Sequence, residues 1–580
     1  TEGYFTAGWS KSLYVGGPIT GTGDIYINYD SGRVVFANTT SDWNGILTLG
    51  ASKAGFTGTT GGILEINTFN NGATAGPLGI SSADPANLVF NGGRINYTGG
   101  DTNTDRGFTL QTSGTIDVSF ANLAMSGLIT GPGSLTKTGA GILTLTGTND
   151  FLGEKTINNG TLVLSYTTAL GSTASFVRFN SPAATPATLD LATDTSVAPY
   201  PVTIGAGFSG TILSNVATPG NPGINHTLGH FDISRITVNV AAGANVTGGD
   251  PRITIPSLSA SSGDAGTTTL NPTTANLTLG SVTIASGNAA KTLSLGGTSQ
   301  DNLATGTISD GLNIITLRKD NTSLWTVSGD NTFTGNVAVD KGVMLITHTN
   351  ALGSTGKTLY VNGNNNKPEL RLSGGIAPAV SVINLSGAGV GDATGAVRNI
   401  SGDNTLTATT EINMTTGNGG TTLYSDSGTL TIATPLFKAN ATGRVLFLAG
   451  PGDGVINGVI ANGSTVNLPV TKSGTGTWTL NGAHTYSGAT TVNAGTLSLG
   501  QASLNNDAAV TVASGAVLNL NFTGIDRVGS LTINGVPKGN GVYDATTDPG
   551  FITGTGSIRV GPEGYSSWTS NYPFTVGVND

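Results

Sequence analysis

The sequence of 580 residues contains no cysteine, and only 10% of its residues are charged. Without cysteine, disulfide bonds and thiolate metal sites are excluded. The 24 basic side chains are outnumbered by 33 acidic ones and are scattered, so the basic patch of a nucleic-acid-binding protein is missing. The densest apolar run, Val445–Ala449, has five residues, whereas a membrane-spanning helix needs about 20. We therefore predict neither a nucleic-acid partner nor a membrane span.

Patterns typical of helices are also scarce, because the chain has six Glu but 89 Gly and 22 Pro. Apolar and polar residues instead alternate in short runs such as Ile142–Thr146 and Val517–Phe522. Gly, Asn and Asp turns separate these runs, as they separate strands. The sequence therefore predicts an all-β protein.

One motif recurs along the chain, in the order lysine, glycine pair, strand, aromatic-x-Gly and Gly-Thr-Leu. Its copies lie near 32–49, 131–164, 315–346 and 463–499. When they are aligned on the aromatic residue and the glycine two positions later, the corresponding pairs are Trp43 and Gly45, Phe151 and Gly153, Phe333 and Gly335, and Tyr486 and Gly488. We interpret these pairs as the scaffold of a repeated unit.

Two shorter echoes accompany the copies. A segment of the type Gly-x-Ile precedes three of them, at Gly17–Gly23, Gly127–Gly133 and Gly458–Gly463, and Ala-Leu-Gly-Ser follows two of them, at Ala169–Ser172 and Ala351–Ser354. A single hydrophobic core stops growing near 250 to 300 residues, whereas a solenoid buries each repeat against its neighbours. In a parallel β-helix each residue stacks on its counterpart one coil later. We therefore predict a long parallel β-helix, or β-solenoid, with polar loop insertions and capped ends.

The predicted organisation has three parts. Residues 1–31 form an N-terminal cap and the first coils, residues 32–561 form the β-solenoid, and residues 562–580 form an aromatic C-terminal tail. Irregular, polar and nearly uncharged segments are predicted as loops that could contact glycans or could merely cover apolar surface. These segments are Asn70–Pro85, Phe179–Pro201, Val216–Asp232, Ser261–Asn276 and Asn362–Pro368.

The copy at 131–164 resembles a known family. Leu135–Asn149, Phe151-x-Gly153 and Asn159–Leu162 are similar to the autotransporter-associated β-strand repeat, which occurs in passenger domains of exported bacterial surface proteins. The resemblance implies a right-handed β-helix displayed outside the cell or on the bacterial surface. It implies no activity, because that repeat is a scaffold.

Aromatic residues are concentrated at both ends of the chain. Near the C-terminus they are Tyr565, Trp568, Tyr572 and Phe574, and near the N-terminus they are Tyr4, Phe5 and Trp9. One interpretation is that the tail folds back and caps the open end of the coil. The other is that it pairs with a neighbouring copy by strand addition, which would make these residues self-association sites.

We predict no catalytic, cofactor-binding or metal-binding residue. Enzymes with a parallel β-helix use paired carboxylates or a calcium cluster, yet no Asp-Asp pair occurs here. His226 and His230 are interpreted as part of a solvated turn and His484 as a surface residue. Lys137 and Lys472, at matched places in the motif, are interpreted as edge or turn charges that discourage sideways pairing.

The sequence thus favours a non-enzymatic extracellular structural or adhesive protein. Its predicted partners are other copies of itself, in fibres joined through the chain ends and aromatic tail, and glycans or cell surfaces. Two alternatives stay open: a glycan-active enzyme of the lyase or hydrolase type, and the passive stalk of a cleaved autotransporter passenger.

Overall fold

The computed structural model describes most of the chain. The described residues are 2–8, 10–28, 32–50, 61–182, 185, 187–233, 235–260, 265–284, 289–362, 366–387, 395–415, 420–439, 444–463 and 467–561. They divide into two compact units, the first formed by Thr1–Thr316 with Thr322–Trp325 and the second by Leu317–Asn321 with Thr326–Asp580.

The first unit is built of short strands in three sheets. The strands of its first sheet are Gly3–Phe5, Ile25–Ile27, Leu47–Leu49, Leu88–Phe90, Phe108–Leu110 and Ile129–Thr130. The strands of its second sheet are Ser12–Val15, Arg33–Phe36, Ile63–Ile66, Arg94–Tyr97, Ser113–Val118, Ser134–Thr138, Lys155–Ile157, Val177–Phe179, Val202–Ile204, Gly223–Thr227, Phe231–Ile233, Gly249–Ala260, Asn276–Ile284, Asn302–Ala304 and Ile308–Gly311. The strands of its third sheet are Thr102–Thr104, Asn122–Met125, Ile142–Leu145, Thr161–Leu164, Ala187–Ala192, Gly210–Asn215, Thr237–Ala242, Gly266–Pro272 and Lys291–Leu295.

The second unit repeats this construction, and two strands, Ile315–Lys319 and Leu324–Val327, contribute residues to both units. The strands of one of its sheets are Val343–Ile346, Glu369–Ser373, Val397–Ser401, Thr421–Ser425, Leu446–Ala449, Val470–Lys472, Thr490–Val492, Ala509–Val512, Ser530–Ile533 and Val536–Pro537. The strands of another are Val337–Val339, Thr358–Val361, Ala379–Leu385, Asn404–Met414, Thr429–Ala433, Leu436–Ala439, Asp453–Ile456, Val459–Ala461, Thr477–Leu480, Gly495–Leu499, Ala516–Leu520 and Ile552–Gly554. A three-stranded sheet contains Ile525–Val528, Gly541–Tyr543 and Ser557–Val560.

Within each unit the strands of successive coils pair in parallel, with register shifts at some pairs such as Gly223–Thr227 with Gly249–Ala260 and Ala379–Leu385 with Asn404–Met414. In the first unit Leu143 lies beside Leu162, which lies beside Leu189 one coil further on. In the second unit Trp478 lies beside Leu497 and Leu497 beside Leu518. All six side chains are buried, and each buried side chain of this size contributes about 1.5–3 kcal/mol. The core is therefore a set of ladders in which apolar side chains stack from one coil to the next.

The prediction of an all-β parallel solenoid is confirmed, and the described residues of the two units together make about 20 turns. Antiparallel pairing occurs near the end of the second unit, where Ser530–Ile533 pairs with Val536–Pro537 and Gly541–Tyr543 pairs with Ser557–Val560. In the described part of the chain, no helix is long and apolar enough to cross a membrane.

Three of the segments predicted as irregular loops contain strands. Ala187–Ala192 lies within Phe179–Pro201, Gly223–Thr227 lies within Val216–Asp232, and Gly266–Pro272 lies within Ser261–Asn276. The prediction was wrong at these places because Gly, Asn and Pro are accommodated within two of the strands, Gly223–Thr227 and Gly266–Pro272, and do not interrupt the pairing between coils.

Candidate functional site

The lysines of the repeat point into the core. Lys137 stacks between Ile116 and Ile157 of the neighbouring coils, and Lys472 stacks between Leu448 and Val492. Lys137 is 1% exposed and Lys472 is 0% exposed. The interpretation of these lysines as edge charges was therefore wrong. Each stem continues an apolar ladder, and only the ammonium group has to find polar partners.

A third lysine, Lys319, occupies the same place in the copy at 315–346. It is fully buried and stacks beside Val339. Lys319 was not among the residues predicted to matter, although its alternation with Leu317 puts both residues on the inward face of one strand.

Each ammonium group donates to three backbone carbonyl oxygens, in an arrangement we call the lysine clamp. Two acceptors belong to the next two residues of the chain, and the third belongs to the following coil, 22 residues downstream. The Nζ–O distances are 2.7, 2.7 and 3.2 Å for Lys137, 2.6, 2.8 and 3.1 Å for Lys319, and 3.0, 2.7 and 3.0 Å for Lys472. The clamp thus fastens a turn to the coil that follows it.

The turn that the lysine closes has a left-handed residue at its second position. Gly139 and Gly474 occupy this position with φ of 77° and 76°, and Asn321 occupies it with φ of 57°. Glycine and asparagine are the residues that adopt this conformation most readily. The glycine or asparagine two residues after the lysine therefore suits the left-handed turn whose carbonyl groups the ammonium group binds.

Burial makes the charged form of these lysines costly. It lowers the pKa of Lys137 and Lys472 to about 8 and that of Lys319 to about 7, while the carboxylates of Asp117, Asp453 and Asp320 act in the opposite direction. Like these carboxylates, the three carbonyl acceptors of each clamp favour the charged ammonium form, because a buried charge is tolerated when hydrogen bonds satisfy it.

The aromatic residue of each copy is buried, and the glycine that follows it packs against the preceding coil. Trp43, Phe151, Phe333 and Tyr486 are each at most 1% exposed. A Cβ on Gly45, Gly153 or Gly488 would collide with backbone atoms of the preceding coil, and Gly335 is likewise buried. Only glycine allows such a close approach of two backbones.

The buried aromatic rings have different polar neighbours in different copies. The ammonium nitrogen of Lys155 lies 5.2 Å from the centre of the Phe151 ring, and that of Lys357 lies 3.9 Å from the centre of the Phe333 ring. In the copy at 463–499 the ring is that of Tyr486, whose hydroxyl lies 2.9 Å from Thr490 Oγ1. Thr490 occupies the position that corresponds to Lys155.

The residue two positions before the aromatic ring caps the preceding coil. Ser41 Oγ accepts from the N–H of Ile19 at 3.0 Å, Asn149 Oδ1 accepts from Ile129 at 2.7 Å, and His484 Nδ1 accepts from Ile460 at 3.1 Å. These isoleucines belong to the upstream Gly-x-Ile echoes. The echo in the sequence therefore marks the coil that receives this cap.

The downstream Ala-Leu-Gly-Ser echo also has a structural explanation. The side-chain amides of Asn149 and Asn331 donate to the carbonyls of Ala169 and Ala351, at 2.6 and 2.8 Å.

His484 replaces the asparagine in the copy at 463–499, which has no such echo after it. His484 Nε2 has no partner among the described residues. His484 is 6% exposed, so its interpretation as a surface residue was wrong. Burial lowers its pKa to about 4.

The remaining histidines do not form a site. His226 lies in the strand Gly223–Thr227, is fully buried and contacts Asn215 O through Nε2 at 2.8 Å, so the solvated-turn interpretation was wrong for it. His230 is exposed and lies between the hydroxyls of Ser257 and Ser259. Within the described ranges, no group of three or more His, Cys, Asp or Glu residues is placed to hold a metal ion.

Of the residues predicted for self-association, two are described. The Tyr4 ring stacks on Tyr26 at 5.0 Å, and the Phe5 ring packs edge-on against Phe36 at 5.3 Å. Both contacts are made within the chain. The other five, Trp9, Tyr565, Trp568, Tyr572 and Phe574, lie outside the described residues.

A family model described as the passenger-associated-transport-repeat matches residues 135–164, 317–346 and 470–499. The chain carries three passenger-associated transport repeats. All three contain a lysine clamp and an aromatic-x-Gly step, and the copy predicted near 32–49 stays a prediction. No solved structure matches the chain.

The chain is also 28% identical, over 611 aligned residues, to the adhesin BmaC autotransporter of Brucella suis biovar 1 (strain 1330). The alignment covers 97% of this chain but only 16% of that protein, so the chain spans about a sixth of the length of the relative. The repeats and this relative identify an extracellular or cell-surface protein.

Proposed function

We propose that the chain is a non-enzymatic adhesive segment of a passenger, in which the solenoid presents its outward side chains to a surface. The observation that carries this proposal is the use made of the repeat residues: the lysine, asparagine and histidine groups of the motif bind the protein's own backbone inside the coil. The repeats thus build a scaffold, and recognition is left to the outer face. The name of the relative, an adhesin, supports the same function.

Three carboxylates among the described residues pair with basic side chains, which supports a structural role for these three rather than a role in a glycan-active enzyme. Glu369 pairs with Arg371 at 2.7 Å, Asp426 pairs with Arg398 at 2.7 Å, and Glu411 pairs with Lys438 at 2.5 Å. A hydrolase would need two carboxyl groups facing a shared groove.

The adhesive function can be tested with latex beads that carry the purified chain. We expect these beads to bind cultured animal cells, or surfaces coated with extracellular matrix, several times more strongly than beads that carry the heat-unfolded chain. Equal binding of the two kinds of bead would contradict an adhesive function and favour a passive stalk.

Self-assembly through the chain ends is a finer part of the proposal. Because Tyr4 and Phe5 pack within the chain, the proposed contact rests on the tail 562–580, and its supporting observation is the aromatic composition of that tail. Electron microscopy of the chain beside a variant without residues 564–580 tests it. Fibres that vanish on deletion would support tail-mediated assembly, and fibres that persist would contradict it.

A further inference from the structure

An open groove of about 520 Å³ crosses the outer face of the first unit. It lies at the start of three stacked strands, Gly210–Asn215, Thr237–Ala242 and Gly266–Pro272. Gly210 pairs with Val238, and Val238 pairs with Leu270, so the three strands are neighbours in one sheet. At about 4.8 Å between strands, the groove runs roughly 10 Å along the stacking direction.

The local backbone gives the groove a fixed shape. Arg235 has a φ of 43°, in the left-handed region that non-glycine residues seldom adopt. Its side chain lies across Gly266, where a Cβ would collide with the arginine stem. A side chain at 266 would displace the arginine stem, so Gly266 leaves room for Arg235 to line the groove.

One buried polar group in the groove, the hydroxyl of Ser209, is unsatisfied among the described residues. Ser209 is 6% exposed, and its Oγ has no hydrogen-bond partner in the part of the chain that the structure describes. A buried hydroxyl without a partner is unfavourable unless a ligand or water binds it. Asn239 accepts from Asn271 Nδ2 at 2.8 Å through its Oδ1, and its own amide carries two N–H donors in the lining of the groove. Thr267 and Thr269 line the groove beside it.

The chemistry of the lining indicates the class of ligand. The half-buried ring of Phe208 lies next to these hydroxyl and amide groups, and no carboxylate lines the groove. A metal ion would require carboxylate or carbonyl ligands in number, and a nucleic acid would require a basic surface. A sugar ring offers an apolar face to an aromatic ring and hydroxyls to amide and hydroxyl side chains.

We propose that this groove binds a saccharide, which stacks on Phe208 and forms hydrogen bonds with Ser209, Asn239 and Thr269. The proposal rests on the adhesive function proposed above and assigns to it a site and a ligand class.

The test uses saturation-transfer NMR of the full chain with four separate probes: cellohexaose, chitohexaose, maltohexaose and a hyaluronan hexasaccharide. We expect at least one sugar to receive saturation from the wild-type chain, and Phe208→Ala to weaken its affinity by at least about tenfold. Phe120→Ala is the matched control, because Phe120 is 70% exposed in the same unit and lies outside the groove. This control should bind like the wild-type chain.

A second variant keeps the test independent of the folding of Phe208→Ala. Asn239→Ala/Thr269→Ala changes two outward side chains and should lose binding to a similar extent, with an unchanged circular dichroism spectrum. Absence of transfer to all four sugars, or equal transfer in the wild type and in the folded variants, overturns the proposal.

The bead assay separates failure of this site from failure of the proposed function. If beads carrying Asn239→Ala/Thr269→Ala adhere as well as wild-type beads and no sugar binds, the groove proposal fails while the adhesive function stands. If wild-type beads do not adhere but a sugar binds and the variants lose it, the adhesive function fails and the saccharide site stands.

Discussion

The repeats at 135–164 and 470–499 hold their backbone in place in the same way and differ in the polar side chains around it. Both have a lysine whose ammonium group binds three carbonyls, and both have a glycine that packs on the preceding coil. The first has Asn149 and the pair Phe151 with Lys155, whereas the second has His484 and the pair Tyr486 with Thr490.

The difference shows which parts of the motif the fold requires. The lysine and the glycine act on backbone groups that every coil of this kind presents, so they stay the same. The asparagine and the partner of the aromatic ring act on neighbours that differ between coils, so they vary together with those neighbours. His484 illustrates this dependence, since it occurs where the Ala-Leu-Gly-Ser echo is missing.

The largest expected effect comes from breaking the shared lysine clamp. In Lys137→Met or Lys472→Met the apolar stem is kept, but three buried carbonyl oxygens lose their donor. We expect a local loss of about 2–3 kcal/mol in each repeat, seen as roughly 30- to 150-fold faster amide exchange in peptides that span the clamped turn. Hydrogen exchange with mass spectrometry measures this.

Lys11→Met is the control for this substitution, because Lys11 is exposed and removing its charge should leave exchange unchanged. Protection that persists at both clamped turns would mean that the ammonium groups do not hold them.

Acid should destabilise only one of the two repeats, because only the repeat at 470–499 has a histidine. The pKa of His484 is lowered to about 4 in the folded chain, against about 6.5 when it is unfolded. As the pH falls from 6.5 towards 4, the unfolded state binds a proton first, so stability that is complete above pH 6.5 is lost over this range. We expect a loss of about 2–3 kcal/mol near His484.

Local exchange rates near 484, corrected for the pH dependence of intrinsic exchange, report this loss. The turn at Asn149 should show no matching change between pH 6.5 and pH 5, and His484→Asn should abolish the change in its own repeat. An identical acid response in the two repeats would rule out His484 as its source.

The period of two in the sequence predicts strands, and it also places the lysines. Leu135, Thr136 and Lys137 alternate between buried and outward positions, which puts Lys137 on the same face as Leu135. The sequence interpretation followed the general rule that lysine stays at the surface. The sequence signal that could have corrected it is the glycine or asparagine two positions after the lysine. A residue in the left-handed conformation at this position turns carbonyl groups towards the lysine.

The partners of His484 and Asn149 could not be predicted from one sequence. The capped N–H lies 22, 20 or 24 residues upstream of Ser41, Asn149 or His484, because the coils differ in length. Register between coils depends on these lengths, and a shift of one residue would exchange inward and outward side chains. The groove at Phe208 has the same limitation, since it combines segments of three coils.

Substitution of the glycine in the aromatic-x-Gly step tests whether this position lacks room for a side chain next to the backbone of the preceding coil. Gly153→Ala and Gly488→Ala should each destabilise their repeat by about 1–3 kcal/mol, because the added methyl group meets the backbone of the preceding coil. Thermal unfolding and local exchange measure the loss. Gly100→Ala is the control, since a Cβ there meets nothing within 4 Å, and an equal effect in all three variants would argue against a steric cause.

The smallest effect concerns the ring and its partner. In the repeat at 470–499, Tyr486→Phe leaves the buried Thr490 hydroxyl without the contact at 2.9 Å and should cost about 1 kcal/mol. Tyr486→Phe/Thr490→Val replaces both polar partners by apolar groups of similar shape and should recover most of that loss. The repeat at 135–164 already has a phenylalanine, and there Lys155→Met removes the ring contact of the ammonium group together with its hydrogen bond to Ser172 O. Recovery in the double variant, measured by local exchange, would mean that the ring and its partner vary as a pair. A double variant as unstable as the sum of its single substitutions would mean that each residue acts alone.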